Sequence, residues 1–226
     1  IDTTMVADLV IDKKRRLALS RNHSAHHLLE TALKQLISDS IHQQGSNLTP
    51  QRLTMDFNYS SKLSIDQINA VETKVNEFIL AAKDVETKLM TLQEAKESNA
   101  IANFENVYKK LNGKLRVLFM KDISVEVCGG THVHNTKEIE QFMITNFEVK
   151  GSGMCRIEAI TSNELINNFL TTQINQFKTK IESFKEFVVA NKVNDLKFEQ
   201  LVKTISYDLT VKNYRLISEQ FKQLEI

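Results

Sequence analysis

The 226-residue chain can hold one full domain and a smaller second unit, but not several independent catalytic modules. Its 42% hydrophobic and 25% charged residues are typical of a globular protein with a real core, which excludes a disordered tail. Because 29 basic residues face 28 acidic ones, no global field attracts a polyanion, and any nucleic-acid contact must use local patches.

Cysteine content and hydropathy indicate the compartment. Two cysteines cannot build a disulfide framework, and the chain does not open with a signal-peptide pattern. No apolar run approaches the roughly 18–20 residues that cross a bilayer. We therefore expect a soluble, cytoplasmic protein with no membrane or DNA partner. Because no starter methionine is present, we also expect it to be an excised piece of a longer chain.

The first third of the chain predicts a strand-rich start, a helix and a loop. Residues 4–12 are β-rich, and a helical period follows from about Asn22 to Ile41. Residues 43–58 contain Gly45 and the only proline, which predicts a loop feeding a short strand at 53–57. Ser64 is predicted to begin a second amphipathic helix. The apolar face of the first helix is formed by Ala25, Leu28, Leu29, Ala32, Leu33 and Leu36.

Strands are predicted at residues 84–92, 115–120, 142–149 and 154–161. Residues 93–111 are predicted to form two short helices. After Thr161 a heptad-like seam predicts a long helix, and a second helix is expected to fold back on it as a hairpin. We therefore predict an α+β fold, a sheet backed by helices, over residues 1–161, followed by an α-helical hairpin over 162–226. The seam comprises Leu170, Ile174, Phe177, Ile181, Phe184 and Val188, and the second helix Leu201, Ile205, Leu209 and Leu216.

Four side chains have the pattern of a metal site. His23 and His27 are four residues apart on the first helix, so they project about 40° apart on one face, away from the apolar stripe. Cys128 and His132 bracket two glycines, which let the backbone fold tightly enough for both to face one point. Two ligands from a helix and two from a turn predict a tetrahedral Zn²⁺ site.

A purely structural interpretation exists for each of these features. A histidine pair at this spacing is often part of a solvated helix face, and a cysteine and histidine four residues apart are no more specific. The presence of both pairs in one small domain favours the metal site. Among the other candidates, we expect Cys155 to be a buried apolar residue. The remaining histidines are expected to be ordinary polar positions: His26, His42 and His134.

These segments resemble the editing domain of alanyl-tRNA synthetases, which also occurs in free-standing AlaX-type proteins. The most specific stretches are Arg21–Glu30, which contains the histidine pair, and Cys128–Val133. The resemblance extends from about Val10 to Thr161, and the helical tail resembles the linker that follows this domain in the synthetases. Supporting segments are Gln43–Ser46, Arg52–Phe57 and Arg156–Thr161.

The resemblance implies roles for individual residues. His23, His27, Cys128 and His132 fall on the family's zinc ligands. By the same resemblance, further residues belong to the editing site: Ser24 at a pocket threonine, Gln43 at a pocket glutamine and Arg156 at a nearby arginine. Three positions depart from the family's usual residues: His26, Asn135 and Cys155.

The resemblance implies an aminoacyl-tRNA deacylase that hydrolyses mischarged Ser-tRNA(Ala) or Gly-tRNA(Ala) at the acceptor end of tRNA(Ala). Such a site is needed because a pocket selective for alanine cannot strongly reject a smaller or hydroxyl-bearing amino acid. A side chain such as Ser24, Thr31 or Gln43 could instead bind the seryl hydroxyl. The chain shows no nucleotide-binding signature, so we expect no adenylation of alanine by this segment.

Two alternatives remain at this point. One is a free-standing AlaX-type trans-editing protein, and the other is a non-catalytic, zinc-stabilised module that binds tRNA. Basic clusters are candidate phosphate contacts, and the C-terminal helices could support self-association. The clusters are Lys13–Arg16, Lys109 and Lys110 with Lys114 and Arg116, and Lys178 with Lys180 and Lys185.

Overall fold

The protein structure is a computed structural model that describes residues 8–101, 113–191, 199–200, 202–203, 205–208 and 210–223. The chain divides into two compact units, and the division falls between Ser162 and Asn163. Within the described ranges, none of the helices combines the length and apolar character needed to span a bilayer.

Among the described residues, the first unit contains seven strands in two antiparallel sheets, which agrees with the predicted α+β class. One sheet has the order β1-β2-β7-β6 and the other the order β3-β4-β5. The strands are β1 (Gln43–Leu48), β2 (Leu53–Asn58), β3 (Val85–Met90), β4 (Leu115–Met120), β5 (Ser124–Val127), β6 (Phe142–Gly151) and β7 (Met154–Thr161).

The described part of the first unit also contains three α-helices and one 3-10 turn. The predicted start of the second helix is confirmed, because the Ser64 hydroxyl accepts the Gln67 N–H at 3.1 Å and closes a capping box. This helix packs against the first one and against β6. The helices are α1 (Lys13–Leu36), α2 (Ile65–Leu80) and α3 (Leu92–Glu97), and the 3-10 turn is Thr136–Ile139.

The bounds of α1 differ from the prediction at both ends. The helix begins nine residues earlier than expected, where the Asp12 carboxylate accepts the Arg15 N–H at 3.0 Å and caps the first turn. Lysine, arginine, leucine and alanine are strong helix formers, so this turn forms without an apolar stripe. The helix ends at Leu36 rather than near Ile41. Residues 8–12 form no strand, and residues 4–7 lie outside the described part.

Two strands were missed by the sequence pattern. β1 was predicted as a loop because it is polar and contains Gly45, but it is an edge strand in which every residue is exposed or only partly buried. A bulge between Gln43 and Gly45 further interrupts its alternation. β5 has only four residues, so it carries little periodic signal. Of the two short helices predicted over 93–111, α3 is present, and residues 102–112 lie outside the described ranges.

The main core lies where α1 and α2 pack on the two sheets. The apolar stripe of α1 is confirmed except at Leu36, which is 45% exposed because the helix ends there. Cys155 is fully buried, as predicted. The second sheet has a smaller cluster on its other face, which is formed with α3 by Ala95, Leu115 and Val117. The five fully buried residues of the α1 stripe are Ala25, Leu28, Leu29, Ala32 and Leu33.

The second unit contains α4 (Asn163–Asn191) and α5 (Val211–Gln223), which pack on each other. Ile181 is buried in one apolar cluster with two residues of α5, Ile217 and Phe221. Residues 199–200 and 202–203 are helical near the predicted start, but residues 205–208 are not, and α5 begins only at Val211. Leu216 is 49% exposed rather than buried. Leu201, Leu209 and the side chain of Val188 lie outside the described part. Self-association through these helices stays a prediction.

Candidate metal centre

Four potential metal ligands converge between α1 and the segment that follows β5. One donor atom from each of His23, His27, Cys128 and His132 lies within 4.8 Å of the other three. The Cys128 Sγ lies 3.5 Å from the Nε2 of His23 and 3.3 Å from the Nε2 of His132. The fold therefore brings together two pairs of residues that are about a hundred positions apart in sequence.

The segment carrying Cys128 and His132 is held by β4. The Cys128 N–H donates to the Arg116 carbonyl at 3.0 Å, which extends the pairing of β4 with β5. The Arg116 guanidinium donates to the carbonyls of Cys128 and Gly130 at 3.0 and 2.5 Å. The Nη1 of Arg116 thus fixes this segment, and the prediction that Arg116 contacts phosphate stays a prediction. Lys109 and Lys110 lie outside the described residues.

Gly130 permits the close approach of this segment to α1. A Cβ atom at this position would lie 2.1 Å from Cε1 and 2.4 Å from Nδ1 of His23. The neighbouring Gly129 differs, because a Cβ there would meet nothing within 4 Å. The pair of glycines was predicted to allow tight folding, and the structure shows that the second one is required by a specific steric contact.

His27 is oriented by a buried carboxylate. Its Nδ1 lies 2.5 Å from the Oε2 of Glu126, and both side chains are nearly inaccessible to solvent. The Nε2 of the same ring has no hydrogen-bond partner among the described residues. In the singly protonated ring, Nδ1–H donates to the carboxylate and the lone pair of Nε2 is available to a cation.

His132 has its own support from α1. The Ser24 hydroxyl lies 3.4 Å from the Nδ1 of His132 and accepts the Val133 N–H at 3.1 Å. Ser24 is fully buried. Its hydroxyl therefore connects α1 to the end of the segment that carries Cys128 and His132.

Burial and neighbouring charges shift the pKa values of the cluster. Burial raises the pKa of Cys128, but hydrogen bonds from His132 and His23 outweigh it and bring the pKa to about 3. Burial lowers the pKa of His132 to about 4. Burial also lowers the pKa of His27, but the Glu126 carboxylate outweighs it and raises the pKa to about 10. At neutral pH without a bound ion, Cys128 is therefore a thiolate and His132 is neutral, whereas His27 carries a second proton that binding of a metal ion would displace.

This donor set fits a tetrahedral metal ion. Three imidazoles and one thiolate are ligands that borderline-soft divalent ions prefer. Bond lengths of about 2.0–2.3 Å place the donors of a tetrahedral site roughly 3.5 Å apart, close to the two Cys128–histidine distances. The unpartnered Nε2 of His27 is a second, independent indication. The cluster has the composition and spacing to bind a metal ion.

Gln43 and Arg156 occupy a different part of the first unit. Gln43, on β1, donates through Nε2 to the Ser46 hydroxyl at 3.1 Å. Arg156, on β7, donates to both carboxylate oxygens of Asp56 at 2.6 and 2.7 Å. The flanking β7 residues, Cys155 and Ile157, are buried in the core, so Arg156 projects from the opposite face of the sheet. Their roles in the site stay predictions.

The environment of His26 differs from the expectation. It was predicted to be an ordinary polar position, but only 1% of it is exposed, and neither ring nitrogen has a hydrogen-bond partner in the described ranges. Burial lowers its pKa well below the usual value, so the ring is neutral. His42 and His134 are exposed, as expected.

The roles of two residues near the cluster were missed by the sequence analysis. Glu126 pairs with His27, and Arg116 holds the carbonyls of the Cys128–His132 segment. A signal for Glu126 exists, because it lies two residues before Cys128 on a strand, where such residues share a face. Arg116 had no comparable signal, since its partners are backbone carbonyls.

Comparison with known proteins gives consistent results. Residues 115–158 match the family described as the threonyl and alanyl tRNA synthetase second additional domain, and this range includes Cys128 and His132. The alanine–tRNA ligase of Malacoplasma penetrans is 39% identical over 204 residues, which are 90% of this chain and 22% of that protein.

Two further relatives cover nearly the whole chain. The alanine–tRNA ligase of Ureaplasma parvum serovar 3 is 36% identical over 219 residues, which are 96% of this chain and 24% of that protein. The alanine–tRNA ligase of Staphylococcus epidermidis is 36% identical over 217 residues, 95% of this chain and 24% of that protein. The chain spans about a quarter of the length of the curated relatives that it matches.

Proposed function

The chain corresponds to a segment of the alanine–tRNA ligases, and we propose that this segment is their editing unit, a deacylase for Ser-tRNA(Ala) or Gly-tRNA(Ala). The observation that carries the proposal is the convergence of three histidines and a cysteine at a partly accessible cluster. An ester hydrolase needs such a polar centre within reach of substrate.

The proposed cofactor is Zn²⁺, held by His23, His27, Cys128 and His132. When bound, zinc would supply a Lewis-acidic centre for the ester or for water. The protein's own part is to keep the donors in place: α1 fixes two rings, and the Arg116 side chain holds the segment that carries the other two ligands. Because Ser24 contacts His132, we assign it to positioning this ligand.

A cavity of about 340 Å³ beside His132 is the proposed place for the aminoacyl end. Its volume is within the usual range for small-ligand sites, and its polar lining suits an amine and a hydroxyl better than an apolar side chain. Polar groups that pair with the seryl hydroxyl would leave alanine without that bond, which is a basis for selectivity. The cavity is lined by Val85, Glu86, Thr87, Arg116, His132, Val133 and His134.

The proposed tRNA contact is the basic first turn of α1. Lys13–Arg16 are exposed, and the helix N-terminus adds partial positive charge. A helix rises about 1.5 Å per residue, so Arg16 lies roughly 10 Å along the axis from His23. Phosphates of an acceptor stem could therefore contact this turn while the 3′ end reaches the cluster.

The test is a deacylation assay on the chain with Ser-tRNA(Ala), and with Ala-tRNA(Ala) as the selectivity control. We expect selective release of serine, and Cys128→Ala is expected to remove both bound zinc and this release. Cys155→Ala is the matched control, because Cys155 is the other free cysteine and lies in the core on β7. It should keep zinc and activity.

The outcomes separate the alternatives. Tight tRNA and zinc binding without serine release would support the non-catalytic module instead. Serine release at the normal rate by a zinc-free Cys128→Ala protein would refute the proposed role of the metal. Activity on Ala-tRNA(Ala) equal to that on Ser-tRNA(Ala) would refute the editing function.

A further inference from the structure

Glu126 has an unusual environment for a carboxylate. Only 2% of the residue is exposed. Among the described residues, its side chain makes a single hydrogen bond, between Oε2 and the Nδ1 of His27. Its other oxygen, Oε1, has no partner there. Burying a charged carboxylate with one hydrogen bond is costly unless a compensating positive charge is near. The placement of Glu126 therefore calls for an explanation beyond packing.

The strand β5 determines where this carboxylate points. Val125 and Val127 pack in the small apolar cluster with α3, so the residue between them projects to the opposite face. Glu126 is paired with Leu118 of β4, which belongs to the main core beneath α1. The strand thus places the carboxylate on the buried side of α1, where it contacts the ring of His27.

Charge balance is consistent with a role at the metal centre. A divalent ion with one thiolate and three neutral imidazoles has a net charge of +1 in a partly buried place. The Glu126 carboxylate brings the sum to zero, and a neutral assembly is cheaper to bury than a charged one. The same carboxylate accepts the Nδ1–H of His27, which leaves Nε2 directed to the cluster.

We infer that Glu126 is a positioning residue for the metal centre, which holds His27 in the Nδ1-protonated tautomer so that Nε2 can bind the ion. The inference deepens the proposed function and rests on its metal site. Partners of this kind commonly contribute 10–100-fold to metal affinity.

The first test measures zinc affinity of the 226-residue chain by competition with a chromophoric chelator, together with the visible spectrum of the Co²⁺-loaded protein. Glu126→Leu removes the acceptor, and we expect affinity to fall by about 10–100-fold with an altered Co²⁺ spectrum. Glu126→Gln keeps a side chain of the same length with an acceptor oxygen but removes the charge. We expect its zinc affinity to lie between those of Glu126→Leu and the unsubstituted chain.

Glu72 offers a matched control. It is also a buried glutamate in the first unit, and its Oε2 accepts the Ile144 N–H at 2.7 Å, on the α2 side of the molecule. Glu72→Leu and Glu72→Gln should lower the stability of the metal-free protein without changing zinc affinity. If Glu126 were only structural, its variants would behave in the same way. Zinc affinity of Glu126→Leu within about twofold of the unsubstituted chain would therefore overturn the inference.

The second test needs no variant. Two-bond ¹⁵N–¹H correlation of zinc-loaded protein with ¹⁵N-labelled histidine reports which ring nitrogen carries the proton. We expect His27 to carry it on Nδ1, and a proton on Nε2 of His27 would refute the inference even if Glu126→Leu did not fold. If the unsubstituted chain bound no zinc, the proposed metal site would fail first; normal zinc binding with an insensitive Glu126 would refute this inference alone.

Discussion

The contact between Gly130 and His23 leads to a sharp prediction about metal binding. In Gly130→Ala the new Cβ would lie 2.1 Å from the Cε1 of His23. Carbon atoms pack at about 3.5–4.0 Å, so the ring or the segment must move by roughly 1.5 Å. The segment resists this displacement, because the Arg116 guanidinium holds the Gly130 carbonyl at 2.5 Å. The ring of His23 is therefore the group that moves.

A shift of this size is large on the scale of a metal bond. Zinc–nitrogen distances vary by only about 0.2 Å around 2.0–2.1 Å, so His23 would lose its place as a ligand. We expect zinc affinity to fall by at least about 100-fold, which is about 2.8 kcal/mol. Competition with a chelator measures the affinity, and thermal unfolding of the metal-free protein shows whether the fold is intact.

Gly129→Ala is the internal control for this experiment. A Cβ at Gly129 would have open space, so we expect this variant to keep its zinc affinity. The two substitutions add the same methyl group at adjacent positions and differ in the contact with His23. Equal affinities of the two variants, within about threefold, would show that the steric reasoning is wrong.

Three further predictions concern the rest of the first unit. The hydrogen bond from Arg156 lowers the pKa of Asp56 below its ordinary 3.8, so the pair stabilises the fold above that pH and less as the pH falls through the lowered folded-state pKa. In urea titrations, the loss of stability caused by Asp56→Asn should therefore shrink between about pH 6 and pH 2. A loss that does not change with pH would contradict this. His26→Leu removes two unpartnered buried nitrogens, so the free energy of unfolding should rise by about 1 kcal/mol, whereas a clear loss would reveal a hidden partner. Leu28→Ala should cost about 2–5 kcal/mol and Leu36→Ala less than about 1 kcal/mol, and similar costs would place both in the core.

Periodicity predicted the elements that are both regular and amphipathic. The Ser64 cap and the strands β4 and β7 have clear patterns of capping or alternation, and they were predicted within a few residues. The first turns of α1 and the edge strand β1 are polar, so hydrophobic pattern carries no information about them. Their structure is set by helix propensity in one case and by pairing with β2 in the other.

The site was predictable to the extent that its chemistry is local. The spacings of His23 with His27 and of Cys128 with His132 are sequence features, and the fold brings these pairs together. The contacts of Glu126 and Arg116 depend on which strand lies beneath α1, so they required the structure. The burial of His26 was also missed, because its angular position on α1 does not show what packs against it.

The helix α1 carries donor atoms and core side chains within the same two turns. Leu28 and Leu29 are fully buried directly after His27, and a close-packed interior transmits strain between neighbouring groups. A change of side-chain volume beneath it would therefore tilt or shift both faces together. We therefore expect core packing and affinity of the proposed metal site to be coupled, so that a cavity or an oversized side chain beneath α1 would lower the affinity for the ion.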